Sequence, residues 1–268
     1  MINKQNVNRH FSKAAAEYDR YACVQKKMAH CLTQKIQLEQ SPQHILEIGC
    51  GTGCLTRELA ERFPDAEITA TDLSENMLQT AAQNLAQYPQ IHYATADGER
   101  LAGPARYDLV ISNAVFQWFL DCPQALKGIQ QVLRPDGHLC YATFGPRTFC
   151  ELKQAFQTAY AANEQTDNWH SGPEFYPAKR WLQWLENAGF SASLEEAYYQ
   201  EYFPTVRKFL HSVKKTGANN AGSAVNTKIS RKIMLDMLEA YQDLFQEKGQ
   251  IQATYHVLYG IAAKQEAR

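Results

Sequence analysis

Between His44 and Phe144 short apolar runs alternate with stretches of helical periodicity, and this alternation constrains the fold more than any other feature of the chain. The run His44 to Ile48 ends in glycines, after which Leu55, Leu59 and Phe63 recur every four residues until Pro64: a strand, a glycine loop and a helix. The unit then repeats. Glu67 to Thr71 reads as a strand, Ser74 is placed to cap, and Met77, Leu78, Ala81, Ala82 and Leu85 mark a helix. Further strands are predicted at Ile91 to Thr95, at Asp108 to Ser112, and at His138 to Phe144 after the Pro135-Asp136-Gly137 turn, with a helix from Pro123 to Leu133. Strands alternating with helices imply a parallel sheet covered on both faces.

Before this stretch a helix spans Ala22 to Leu38 and stops at Ser41-Pro42. Beyond Phe144 the sequence turns helical and aromatic-rich, then resumes with a helix from Ala178 to Asn187, a stop at Gly189 and a strand near Leu194 to Phe203. Ile251, Ala253, Tyr255, Val257, Tyr259 and Ile261 alternate with period two, as in a half-buried antiparallel or edge strand. Residues 41–268 are therefore expected to form one α/β core with helical insertions at about 145–177 and 204–249. With 45% apolar residues, 21% charged and a net charge of −1, no global field points to nucleic acid or membrane. The seven cysteines are scattered without a Cys-x-x-Cys pair, which argues against a zinc site or disulfide framework, and no metal is expected. The N-terminal stretch lacks an apolar signal-like core, so the expected compartment is the cytoplasm. The expected state is a monomer.

Gly49-Cys50-Gly51-Thr52-Gly53 falls between the first strand and its helix, where missing β-carbons let the backbone turn sharply and approach a ligand. Its spacing is G-x-G-x-G, which disfavours the hydride-transfer cofactors served by G-x-G-x-x-G. Asp72 ends the second strand about 20 residues on, where a carboxylate can accept from both ribose hydroxyls of an adenosine. Asp97 follows the third strand and can accept from the adenine amine; an ordinary exposed loop aspartate is the alternative.

Leu46-Glu47-Ile48-Gly49-Cys50-Gly51-Thr52-Gly53, Asp72, Asp97-Gly98, Tyr107 to Asn113 and Leu133 to Leu139 together resemble class I S-adenosylmethionine-dependent methyltransferases. The resemblance implies a Rossmann-like seven-stranded sheet, mostly parallel with one antiparallel strand, helices on both faces and a helical lid insertion. It also implies S-adenosylmethionine as cofactor, held by Glu47, Gly49, Cys50, Gly51, Gly53, Asp72, Leu73, Asp97, Gly98 and Asn113, under a helical cap formed by residues 1–40. A closer resemblance lies in Phe11 to Ala22, Ser112 to Trp118 and Lys215-Thr216-Gly217-Ala218-Asn219, which are similar to the malonyl-acyl-carrier-protein O-methyltransferase family of biotin synthesis. This implies methylation of the free carboxylate of a malonyl thioester on acyl carrier protein or coenzyme A. Another small carboxylate or carbon acceptor, and a catalytically silent cofactor-binding protein, stay open as alternatives.

Methyl transfer to a carboxylate is an in-line displacement, so the enzyme chiefly positions the acceptor and excludes water. A malonyl carboxylate, with a reference pKa near ~4, is already ionised at neutral pH, and a general base contributes little. What it needs is orientation. Arg147, just beyond the strand His138 to Phe144, carries a planar fork suited to a carboxylate, with a plain surface arginine as the alternative. The resemblance suggests that Tyr18 closes over the cofactor, and Gln117 and Trp118 are expected to border the transfer site. From Arg207 to Lys232 there are seven Lys and Arg and no Asp or Glu. Val206, Phe209, Leu210 and Val213 form an apolar stripe there, opposite Arg207, His211, Lys214 and Lys215, and the stripe is expected to dock an acidic carrier protein.

Overall fold

The computed structural model describes residues 2–165, 172–218 and 229–265; Asn219 and Lys228, which figure in the motifs above, lie outside them. Helices α1 (Lys4–Ala14), α2 (Tyr18–Tyr21) and α3 (Cys23–Lys35) precede the alternating region. That region runs β1 (His44–Ile48), α4 (Cys54–Arg62), β2 (Glu67–Asp72), α5 (Glu75–Asn84), β3 (Ile91–Thr95), β4 (Tyr107–Asn113), α6 (Cys122–Val132) and β5 (Leu133–Phe144). Then follow α7 (Cys150–Ala162), α8 (Ala178–Asn187), β6 (Phe190–Phe203), α9 (Val206–Lys215), α10 (Arg231–Phe245), β7 (Gln246–Glu247) and β8 (Gln250–Lys264). Side chains that satisfy the free amides of the first turn start several of these helices: Ser74 accepts from Met77 N, Asp121 from Gln124 N, Thr205 from Lys208 N and Ser230 from Ile233 N.

One sheet runs in the order β3-β2-β1-β4-β5-β8-β6. Neighbours from β3 to β5 are parallel, and β8 runs antiparallel to both β5 and β6. The seven strands with one antiparallel member are thus present, and the two-residue β7 adds a short pairing with β8. Alternation along each strand sorts side chains to opposite faces. Leu109 and Ile111 of β4 join Met28, Leu32, Leu59 and Ala81 from α3, α4 and α5, whereas Val110 joins Leu126, Ile129, Trp181 and Leu185 from α6 and α8. A third cluster unites α7, α9 and α10 through Phe156, Phe209, Met237 and Tyr241 and rests on Ile251 and Ala253 of β8.

Three local expectations change. The last strand is neither an edge nor half-buried, because β6 covers its outer side and residues 253–260 are buried on both faces. Its intervening Thr254 and His256 are buried polar residues bonded to Glu151 and Glu196 rather than solvent-facing ones. The Pro135-Asp136-Gly137 turn is absorbed into β5 as an irregularity, the pairing passing from Tyr107↔Leu133 to Leu109↔His138 with Asp136 at φ 60°. The apolar stripe of α9 faces inward: Val206 and Phe209 are buried in the third cluster, with Leu210 and Val213 packed on it, so it is unavailable for docking.

Packing at the β5–β8 seam is close enough to forbid a side chain at Gly260, where a Cβ would lie 2.2 Å from Cε1 of the fully buried Tyr141. Gly260→Ala is therefore expected to cost about 1–3 kcal/mol, as overpacking of a rigid core does. A thermal melt should fall by several degrees; an unchanged midpoint would mean that Tyr141 yields freely.

Candidate active site

The chain runs outward from β1 to β2 and β3 on one side and from β4 to β5 on the other, so a crevice opens where β1 and β4 end. The glycine loop forms one wall. Gly49, Gly51 and Gly53 adopt φ of 74°, 55° and 92°, which glycine alone enters without strain. A Cβ on Gly49 would strike Val115 at 2.3 Å and one on Gly53 would strike Leu85 at 2.7 Å, whereas beside Gly51 there is open space. Gly51 N donates to Asp72 Oδ2 at 2.9 Å, and Ser74 N to Asp72 Oδ1 at 2.8 Å, so one carboxylate joins the loop to the end of β2. Burial pushes the Asp72 carboxyl above its ordinary value, against the hydrogen bonds from Ser74, Gly51 and Leu73 that pull it down.

Glu47 and Cys50 occupy the floor. Both are buried, and burial raises the Cys50 thiol well above its usual range, so Cys50 contributes its main chain to the loop while its side chain joins the core. Burial, assisted by Asp72, pushes the Glu47 carboxyl up to about 8, with Thr56 acting in the opposite sense. Across the crevice, Asn113 donates to Gln25 O at 2.9 Å and leaves its buried Oδ1 without a protein partner. Gly98 is buried where a Cβ would meet Ile48 Cγ2 at 2.1 Å, which lets the turn after β3 lie on the end of β1.

The N-terminal helices fold over this edge through polar contacts that sequence reading did not identify. Lys4 bonds both carboxylate oxygens of Asp97 at 2.6 Å and also pairs with Glu99. Asn8 donates to Leu73 O at 2.9 Å, Ser12 and Ser74 hydroxyls meet at 2.8 Å, and Thr52 donates to Asp19 at 2.9 Å. The Lys4 ammonium thus already engages the Asp97 carboxylate expected for the adenine amine; Oδ1 also accepts from Glu99 N at 3.1 Å, and Oδ2 retains a second lone pair.

Beside the loop lies a narrow cavity of about 50 Å³, lined among others by Phe11, Tyr18, Gln25, Gln117, Trp118 and Tyr255. Phe144, Thr148, Phe149, Phe175 and Thr216 complete much of its wall, and the lining holds no charged side chain among the described residues. Burial, with Asp72 and Asp19 nearby, raises the Tyr18 phenol far above its ordinary value, so it remains a hydrogen-bond donor. Gln117 is committed to its own loop, donating to Ala114 O at 2.7 Å and accepting from Thr143 at 3.0 Å. Trp118 is buried against Val7 and Phe11, and its indole Nε1–H has no protein partner. Arg147 is brought close in sequence only: its side chain is exposed and outside the lining, because the turn after β5 points Thr148 and Phe149 inward instead. A larger surface hollow, lined by Leu38, Arg62 and Phe63 among others, adjoins the approach to the opposite end of β1 and holds none of these groups. Among the described residues no cluster of three His, Cys, Asp or Glu could hold a metal, and no helix is long and apolar enough to cross a membrane.

These groups suit an adenosyl ligand, since the space beside Gly51 admits close approach and Asp72 keeps lone pairs for hydroxyls. Asp72→Ala is expected to weaken S-adenosylmethionine binding at least about tenfold, by loss of charge-assisted hydrogen bonds and of the anchor for Gly51. Calorimetric titration giving wild-type affinity in a folded variant would remove Asp72 from the site. Glu47 makes a separate prediction about pH. The folded chain retains a proton on Glu47 between its ordinary value of 4.5 and about 8, whereas the unfolded chain releases it. Stability from this group is therefore present at low pH and lost as pH rises through that window, at up to about 1.4 kcal/mol per pH unit. Urea midpoints should decline between about pH 5 and pH 8 more steeply in wild type than in Glu47→Gln, and parallel curves would rule the effect out.

A methyltransferase-domain family model matches residues 46–139. The chain is 38% identical over its whole length to the malonyl-[acyl-carrier protein] O-methyltransferase of Acetivibrio thermocellus, covering 96% of that protein. To the enzyme of the same name from Anoxybacillus flavithermus it is 39% identical, with 97% of each chain covered. Its fold is similar to that of phosphoethanolamine N-methyltransferase 2 from Haemonchus contortus, solved with S-adenosyl-L-methionine, at a TM-score of 0.56 and 17% identity over 90% of this chain and 53% of that one. By its end-to-end likeness to these relatives, the chain belongs to the malonyl-[acyl-carrier protein] O-methyltransferase family.

Proposed function

We propose that this methyltransferase transfers a methyl group from S-adenosylmethionine to the free carboxylate of a malonyl thioester carried by acyl carrier protein, giving the methyl ester used early in biotin synthesis. The observation that carries the reading is the aromatic cavity beside the glycine loop, whose lining among the described residues is uncharged and includes Trp118, with a buried Nε1–H that none of them pairs. The cofactor supplies an electrophilic methyl group on a sulfonium. Glu47, the glycine loop, Asp72, Leu73, Asp97, Gly98 and Asn113 would hold it, and α1 and α2 would cap it from above. Trp118 and Tyr18 would donate to the acceptor carboxylate, while Phe11, Phe144, Phe149 and Phe175 exclude water. The carboxylate is already ionised and no proton has to be removed.

Arg147, exposed outside the cavity, is placed to meet an anionic substrate on approach rather than to hold its carboxylate during transfer. The carrier protein would meet the outer face of α9, where Arg207, Lys208 and Lys214 are exposed and make no ion pair among the described residues. Lys215 is already paired with Glu17 of the N-terminal segment and ties α9 to the cap. The inner side of the same helix reaches the cavity through Val213, with Thr216 just beyond, so a tethered acyl group has a short path inward.

Incubating the protein with labelled S-adenosylmethionine and malonyl, succinyl and glutaryl thioesters, on coenzyme A and on acyl carrier protein, tests the reading directly; malonyl acceptors should lead, and no labelling of any would overturn it. Arg207→Glu combined with Lys214→Glu should lower kcat/KM for the carrier-bound substrate and flatten its salt dependence. A short malonyl thioester with no charge beyond its acceptor carboxylate should be unaffected. Wild-type behaviour across a salt series would dismiss the docking face.

A further inference from the structure

The segment between β5 and α7 places Thr148 and Phe149 in the cavity wall, and it does so in a strained conformation, with Phe149 at φ 57°. A bulky residue in that region is stable only where its surroundings hold it. What holds it is β8. Gly145 N donates to His256 O at 2.8 Å, Thr148 Oγ1 donates to the same oxygen at 2.9 Å, and Phe149 N donates to Thr254 O at 2.7 Å. One turn later Glu151, also buried, accepts from Thr254 N at 3.1 Å and from its hydroxyl. At the centre lies the His256 ring, only 4% exposed.

The partners of that ring define its tautomer. Arg147 N–H can only donate, and it lies 3.3 Å from Nδ1, so Nδ1 accepts. The proton is therefore on Nε2, 2.8 Å from the carboxylate of Glu196 on β6. Tyr198 stacks flat on the ring at 4.6 Å, with 8° between the planes. The opposite neighbour is Gly145, where a Cβ would stand 2.4 Å from Nδ1. The imidazole is thus locked between two strands and offers its acceptor nitrogen to the backbone of the segment that walls the cavity.

We propose that His256 is a positioning residue for the acceptor: the neutral ring, held by Glu196 and Tyr198, fixes the backbone at Arg147 and so the placement of Thr148 and Phe149 against the substrate. The functional half of this inference rests on the cavity being the acceptor site, whereas the structural half does not. Asn carries an amide oxygen near the position of Nδ1 and can accept from Arg147 N; Leu cannot. Gly145→Ala reaches the same end from the other side, by displacing the ring.

Two measurements on the full chain test it. Hydrogen exchange across residues 145–151 should quicken at least about tenfold in His256→Leu and Gly145→Ala, and return toward wild type in His256→Asn. With malonyl thioester, KM should rise by roughly tenfold in the first two variants while affinity for S-adenosylmethionine holds within about twofold, and His256→Asn should recover most of the loss. Unchanged exchange in His256→Leu would overturn the proposal whatever the activity. Faster exchange with unchanged KM would overturn its functional half. If wild type methylated no thioester, the proposed function would fail, and the exchange result alone would decide whether His256 positions the segment.

Discussion

The glycine loop has its shape because Asp72 holds it. Three left-handed glycines in five residues leave the backbone free to take many paths, and the amide of Gly51 would otherwise depend on water. Asp72 binds that amide and the amide of Ser74 with one carboxylate, tying the turn after β1 to the turn after β2. Ser74 in turn caps α5 and meets Ser12 of α1, so the same anchor reaches the helix above the site. Two crossings of the sheet and the N-terminal helix therefore share one point of reference. A carboxylate so used still has lone pairs to offer a ribose, which is why structural and ligand-binding roles coincide on one residue rather than compete.

The sheet performs the opposite service on its other side, at β8. β8 is buried on both faces, and its polar positions cannot turn to water, so Thr254 and His256 must be satisfied within the protein. They are satisfied by the segment after β5 and by the first turn of α7, so the cost of burying polar side chains is offset by anchoring the helices that cover the cavity. A wholly apolar β8 would keep its main-chain bonds to that segment and lose those made by the side chains of Thr254 and His256.

The alternating region was legible because local rules govern it. β1 and β3 have the predicted bounds, α4 ends before Pro64, and Ser74 caps where its spacing required. Period two in β8 was visible too, yet periodicity reports only the two faces of a strand and says nothing of what lies beside it; whether β6 pairs there is a contact across some sixty residues of sequence. The same limit explains Arg147. Its type suggested a carboxylate ligand, but whether Arg147, Thr148 or Phe149 enters the cavity is decided by hydrogen bonds to β8, more than a hundred residues away. The contacts of Lys4, Asn8 and Ser12 with the cofactor edge were likewise invisible, since each joins segments that share no pattern.

A cavity whose described lining carries no charge is at first sight a poor place for an anionic acceptor. During methyl transfer, however, the acceptor carboxylate loses its charge and becomes a neutral ester. A fixed guanidinium against it would stabilise the ground state more than the transition state, and that difference would add to the barrier. Neutral donors, the role proposed for the Trp118 indole and the Tyr18 phenol, would hold the carboxylate in direction while losing less as its charge is spent. A cation outside the wall, at Arg147 or on the outer face of α9, still aids the encounter through the long-range field without opposing the chemical step. On this view, the absence of charge among the described lining residues and its placement around the approach are two parts of one electrostatic arrangement. The turn pinned by His256 decides which side of that boundary each residue of 147–149 occupies.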